Sequence, residues 1–244
     1  MKNLFYTIII IFITSYSYSQ KNSVCGKISY VEEFKNNNSQ FNYTLFFNND
    51  ESLYIMENHN KDNDLIETVG GFVPPTITPI FYFNKKNNNL IFQSDVAFQK
   101  IITKDILSDL KWEIKKETKK IGKYNCIKAT ICFREINYIV WFTPEIPISY
   151  GPWKFRGLDG LIMEVYDENN NYHISIERIK ITKDCILYDN KINKYKPLSP
   201  INWEDYLELK KEEEIEIENL FNSKLERGQS VGVTIGGFQR EILK

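Results

Sequence analysis

The chain has 244 residues, 31 Lys and Arg against 32 Asp and Glu for a formal net charge of −1, and 42% hydrophobic residues. That length fits one medium domain or two small ones. The balanced charge excludes the electrostatic footprint of a nucleic-acid binder, the apolar content excludes a disordered chain, and two His without a Cys-x-x-Cys pair exclude the common zinc modules.

Met1-Lys2-Asn3 supplies a short basic start, and Leu4 to Ile13 is an almost unbroken apolar run, about half what a bilayer span needs. Small residues Ser15, Ser17 and Ser19 then alternate with Tyr, which completes the layout of a secretory signal peptide over residues 1–19. Cleavage would leave Gln20 first and place the protein in the periplasm or outside the cell. Only Lys2 is charged in that segment, so the mature chain of 225 residues has 30 basic and 32 acidic groups, net −2. No later segment is apolar enough to span a membrane. In an oxidising compartment Cys25, Cys126, Cys132 and Cys185 are all disulfide candidates. Cys126 and Cys132 lie in one predicted strand, roughly 20 Å apart at ~3.3 Å per residue, and cannot bond each other. Each pairs with Cys25 or Cys185 or stays free.

Residues 20–198 read as an antiparallel β domain. Phe41, Tyr43, Leu45 and Phe47 share one face at period two, as do Ile127, Ala129, Ile131 and Phe133. Leu161, Met163 and Val165 repeat the pattern with Glu164 between them, and Lys111 to Lys115 alternates apolar and charged. Further strand-like runs are Ile28 to Phe34, Leu53 to Met56, Ile80 to Phe83, Leu90 to Phe92 and Tyr138 to Phe142. The short Asn- and Asp-rich turns between them join antiparallel neighbours, because parallel pairs need long crossovers. Tyr138 to Phe142 is apolar on both parities and should be covered on both faces. Between Tyr172 and Ile181 the apolar phase slips, which predicts a bulge near Glu177-Arg178. Residues 199–244 change character: Asn202 can cap a helix starting at Trp203, with Glu204 and Asp205 in its acidic first turn and Gly228 as its stop. The expected fold is mainly β, a strongly curved antiparallel sheet or open barrel packed against a C-terminal helix.

No catalytic motif is present: neither Gly-x-Ser-x-Gly nor His-Glu-x-x-His occurs. His173 sits in a predicted strand, where a packed or surface role outweighs that of a general base. His59 lies in a polar loop that lacks the central Gly and terminal Glu of a calcium loop. Neither metal nor cofactor is expected, and no acids can be singled out for glycoside cleavage.

The most distinctive stretch is Trp141 to Ile162, preceded by Lys119-Lys120-Ile121-Gly122-Lys123-Tyr124-Asn125-Cys126. Over residues 110–182 it resembles the GLPGLI family, exported bacterial proteins of unknown function named for a hexapeptide that here reads Gly157-Leu158-Asp159-Gly160-Leu161-Ile162. The resemblance implies an envelope role and no catalytic residues. With Gly151 and Pro152, the hexapeptide reads as a structural motif. Asp159 replaces the family's Pro at the second position of a predicted type II turn from Leu158 to Leu161, with Gly160 at the position that needs positive φ. In the preceding loop Trp153 and Phe155 are core plugs or the lip of an apolar cavity, while Lys154 and Arg156 read as solvated flanks. With Trp141 as a third candidate, Trp153 and Phe155 would line a ligand site. The expected function is therefore non-catalytic: an exported envelope protein binding an apolar small molecule or lipid, or an envelope partner, through the curved sheet. One alternative is a hydrolase with unassigned acidic residues, and another is a structural subunit of an envelope assembly without a pocket.

Overall fold

A computed structural model describes residues 24–35, 38–57, 78–97, 99–105 and 109–223. The signal-peptide segment, the loop that holds His59 and the C-terminal stretch with Gly228 lie outside them. The strands are β1 (Cys25–Phe34), β2 (Ser39–Phe47), β3 (Glu51–Met56), β4 (Ile80–Asn84), β5 (Asn89–Val96), β6 (Gln99–Asp105), β7 (Glu113–Ile121), β8 (Tyr124–Phe133), β9 (Ile136–Thr143), β10 (Leu161–Asp167) and β11 (Tyr172–Thr182). Two helices follow, α1 (Ile186–Tyr195) and α2 (Trp203–Asn222).

All eleven strands form one antiparallel sheet in the order β6-β5-β4-β3-β2-β1-β11-β10-β9-β8-β7. Neighbours in the sheet are also neighbours in the chain, joined by short turns except between β3 and β4 and between β9 and β10, where longer segments intervene. The one pairing that is not sequential is the junction of β1 with β11, which brings the beginning and end of the β region together at the sheet centre. A flat sheet would hold β6 and β9 roughly 40 Å apart at about 4.8 Å per strand. Yet Arg134, in the β8–β9 turn, reaches Asp105 at the end of β6, with Nη2 and Oδ1 2.5 Å apart. The sheet therefore curls strongly without closing.

The predicted bulge is present. Ser29 pairs with Arg178 and Tyr30 with Ile176, leaving Glu177 as the extra residue. A second bulge at Met163 shifts β10 against β9 between Ile162 and Glu164. Bulges bend sheets and increase their twist, and these two lie in the central strands.

The concave face carries the main core, with Ile28, Tyr30, Leu45, Tyr54, Val140 and Val165 among its buried residues. β9 is buried on both parities along Val140, Trp141 and Phe142, as its sequence predicts. The long loop between β9 and β10 folds into the hollow: Phe155 packs against Tyr138 with ring centroids 4.9 Å apart. Trp153 sits at φ +53°, a rare backbone conformation for a bulky residue. It is kept there by edge contacts with Phe133 at 5.5 Å and Phe155 at 5.1 Å.

The type II turn over Leu158 to Leu161 is a point of correction. Positive φ falls at Gly157, at +88°, and not at Gly160. Gly160 is indispensable for another reason, since a Cβ there would meet the Thr143 carbonyl oxygen at 2.3 Å. Close backbone approach, not turn handedness, explains the glycine.

α2 begins as expected, with Asp205 N–H donating to Asn202 Oδ1 at 2.8 Å. Just before it, Ile201 exchanges backbone hydrogen bonds with Ile102 and Lys104 and covers the free edge of β6. Trp203 and Tyr206 then pack on Phe92. α1 was not expected. Its polar sequence shows no extended apolar stripe, and only Tyr188 and Ile192 are buried. They close a second core with Phe46, Leu53 and Ile55 on the opposite face of the sheet. The disulfide Cys25–Cys185, Cα atoms 5.5 Å apart, ties α1 to β1, while Cys126 and Cys132 are free.

Candidate functional site

Two clusters of charge lie on opposite faces of the sheet. On the convex face, antiparallel pairing sets Glu33 of β1 beside His173 of β11, and His173 beside Tyr166 of β10. The bulge at Met163 sets Glu164 opposite Trp141 of β9. His173 is the centre: Nε2 lies 3.0 Å from Glu164 Oε1 and Nδ1 3.3 Å from Glu33 Oε2. Glu164 also forms a close ion pair with Lys119 of β7. The Lys119 ammonium rests 4.5 Å from the centre of the Trp141 ring, a cation–π arrangement. Trp141 Nε1 donates to Tyr166 Oη at 3.2 Å, closing the ring of contacts.

Burial pushes the Glu164 carboxyl up, but hydrogen bonds from His173 and Lys119 outweigh it and hold the group below the ordinary carboxylate range. The hydrogen bond to Glu164 raises the His173 imidazole, against burial and with help from Glu33. An ionised carboxylate thus sits 3.0 Å from an imidazole that holds its proton toward neutral pH. Of the two, His173 is the group that can exchange a proton near neutral pH, while Glu164 stays ionised as its partner. Cys126 is buried nearby; burial raises its thiol pKa, so it is a poor nucleophile.

On the concave face the charged groups are sealed. Lys154, only 2% exposed, pairs with Asp105 at 2.7 Å, and Arg156 is 7% exposed. This corrects the expectation that both are solvated flanks: the turn at Trp153 carries them inward, over Phe92 and Phe83 respectively. Trp153 and Phe155 are buried between core rings, and Trp141 lies on the other face beneath Lys119. The three proposed ligand residues therefore do not line one site. The space left beside Trp153 and Phe155 is about 10 Å³, far below the ~300 Å³ of a small-molecule pocket.

Sequence reasoning missed Glu33, Lys119, Glu164 and Tyr166 as a group. Each is an ordinary polar residue on an alternating strand, and only strand register brings β1, β7 and β10 together.

A family model described as the N-glycanase peptide, N-terminal domain, of PNGase F-II matches residues 28–205. The chain belongs to this family. The GLPGLI resemblance is thereby corrected: it rests on residues 110–182, from β7 to β11, whereas the PNGase F-II match runs from β1 into the first turn of α2. No curated protein matches the chain. A solved structure of PNGF-II in space group C2 has the same fold at TM-score 0.54 and 20% identity over 78% of this chain. A second, in space group P21, gives 0.52 and 20% over 79%. The chain spans only 33% and 34% of the length of those proteins. The match to the N-terminal domain of an N-glycanase corrects the reading as an apolar-ligand binder, whose ligand also finds no room beside Trp153. Of the expected alternatives, the hydrolase agrees better with the family match than the ligand-binding reading does. Among the described residues no helix is long and apolar enough to cross a membrane.

Proposed function

We propose that this chain takes part in the hydrolytic removal of N-linked glycans from glycoproteins, as an exported module of the PNGase F-II type. The observation that carries the proposal is the family match over residues 28–205. Export through residues 1–19 would bring the protein to glycoproteins outside the cytoplasm, and the disulfide between Cys25 and Cys185 suits that compartment. On the convex face, His173, held by the ionised Glu164, is the group that would exchange a proton during hydrolysis. Trp141 and Tyr166 supply aromatic surface beside it.

The test is direct. The mature protein is incubated with an N-glycosylated protein across pH 5 to 8, and peptide mass and free glycan are followed. Release of intact glycan is the expected outcome. Glycoprotein left unchanged throughout, with protein in stoichiometric excess, overturns the proposal.

A further inference from the structure

Charge is balanced over the whole chain but divided between two surfaces. Residues 111–128, which include β7 and the start of β8, hold seven lysines and two glutamates. α2 holds eight acids and two lysines. Lys115, Lys119 and Lys128 are engaged by Glu113, Glu164 and Glu117. Lys116, Lys120 and Lys123 are exposed and form no ion pair among the described residues. On α2, Glu213 turns back to Lys210 and the Ala97 N–H. Glu212, Glu214, Glu216 and Glu218 are exposed and form no ion pair among the described residues. Each surface also shows a large apolar side chain to water. Ile114 on β7 is 60% exposed, and Ile215 on α2, set between Glu212 and Glu218, is 50% exposed.

Within the chain α2 packs on β5 and β6, and Ile201 covers the β6 edge. The β7 edge is the other end of the sheet. Its lysines repel a second copy of the same strand but match an acidic helix in sign. β6 and β7 flank the gap of the curled sheet, and Arg134, in the turn after β8, lies 3.8 Å from the centre of the Trp203 ring at the start of α2. Both charged surfaces thus border one opening. We infer that the molecule pairs with a second copy of itself across that opening, with the lysines of the β7–β8 hairpin against the free acids of α2. The pair is a two-fold dimer, in which every contact is repeated in reverse. A formal net charge of −1 leaves little overall repulsion between the copies. Exposed ion pairs are individually weak, so the association is modest and governed by salt. The screening length shrinks from about 30 Å at 0.01 M ionic strength to about 3 Å at 1 M.

Sedimentation velocity of the mature protein is the test. At about 0.01 M salt the protein should pass from monomer to dimer as its concentration rises and stop at two copies, and at about 1 M it should be monomeric. The triple variant Lys116→Glu, Lys120→Glu, Lys123→Glu should be monomeric at low salt, as should Glu212→Lys, Glu214→Lys, Glu216→Lys. An equimolar mixture of the two should recover a dimer, because each hairpin again faces a helix of opposite charge. The salt response of the unmodified protein stands whether or not either variant folds. A protein that is monomeric at every concentration and salt, its hairpin left to solvent or to another acidic partner, overturns the inference. So does a dimer that persists at high salt, as one joined through the exposed Cys132 would. Growth beyond two copies, or a mixture of folded variants that stays monomeric, overturns it equally.

Discussion

The two charge clusters use the same kinds of residue and differ in access to water. On the concave face Asp105, Lys154 and Arg134 are packed among Phe92, Trp153 and Trp203, with Lys154 and the Asp105 side chain almost fully covered. On the convex face Glu164, His173 and Lys119 keep partial exposure, about a fifth to a third of each side chain. Sealed ions have been stripped of hydration and are held by one another, so losing one partner leaves the rest stranded. Half-exposed ions retain solvent as an alternative partner, contribute little to stability and stay free to exchange protons. The difference separates a structural clasp from a place where chemistry is available.

Removing the anion of the sealed cluster should have the largest effect. Asp105→Ala removes a buried carboxylate that both Lys154 and Arg134 pair with and should cost roughly 3–5 kcal/mol, measured by urea unfolding. A loss under ~1 kcal/mol would mean that the concave cluster resembles the convex one. Cys185→Ser opens a loop with a sequence separation of 160 residues and should cost about 2–5 kcal/mol, read as a lower Tm in non-reducing buffer. That variant tests the α1 clasp independently of either charge cluster.

On the convex face Glu164→Gln should change stability by no more than about 1 kcal/mol, while reducing glycan release by roughly 10²–10⁴-fold. A variant that unfolds, or that keeps full glycan release, would abolish the distinction between the faces. The smallest effect is a pH slope. Because the folded-state pKa of His173 is raised, its contribution is fully present below the unfolded value near 6.5 and disappears as pH rises through the folded value. Tm of the native protein should therefore fall between pH 6 and 8.5 by more than that of His173→Gln. Equal slopes would show that the imidazole does not feel its two carboxylates.

Much of the sheet was legible because antiparallel strands with short turns are local objects. Period-two alternation marked β2, β8 and β10, the phase slip at Glu177 marked a bulge, and double-sided apolarity marked β9 as covered on both faces. β6, from Gln99 to Asp105, was missed because its exposed half-polar sequence does not alternate cleanly. α1 was missed because two buried residues in ten make no stripe. The scarcity of His argued against catalysis, yet one half-buried His between two carboxylates is enough for proton transfer.

The sequence by itself determined the strand-rich class, the bulge, the cap of α2 and which cysteines could not bond each other. Each follows from interactions within a few residues, where backbone geometry leaves few choices. Only the tertiary structure decided that Lys154 and Arg156 turn inward, that Gly160 is required by the Thr143 carbonyl, and that Glu33, Lys119, Glu164 and His173 meet. Those outcomes depend on how far the sheet curls and on register between strands far apart in the chain. Local alternation shows that a residue faces in or out, but not which distant residue it faces.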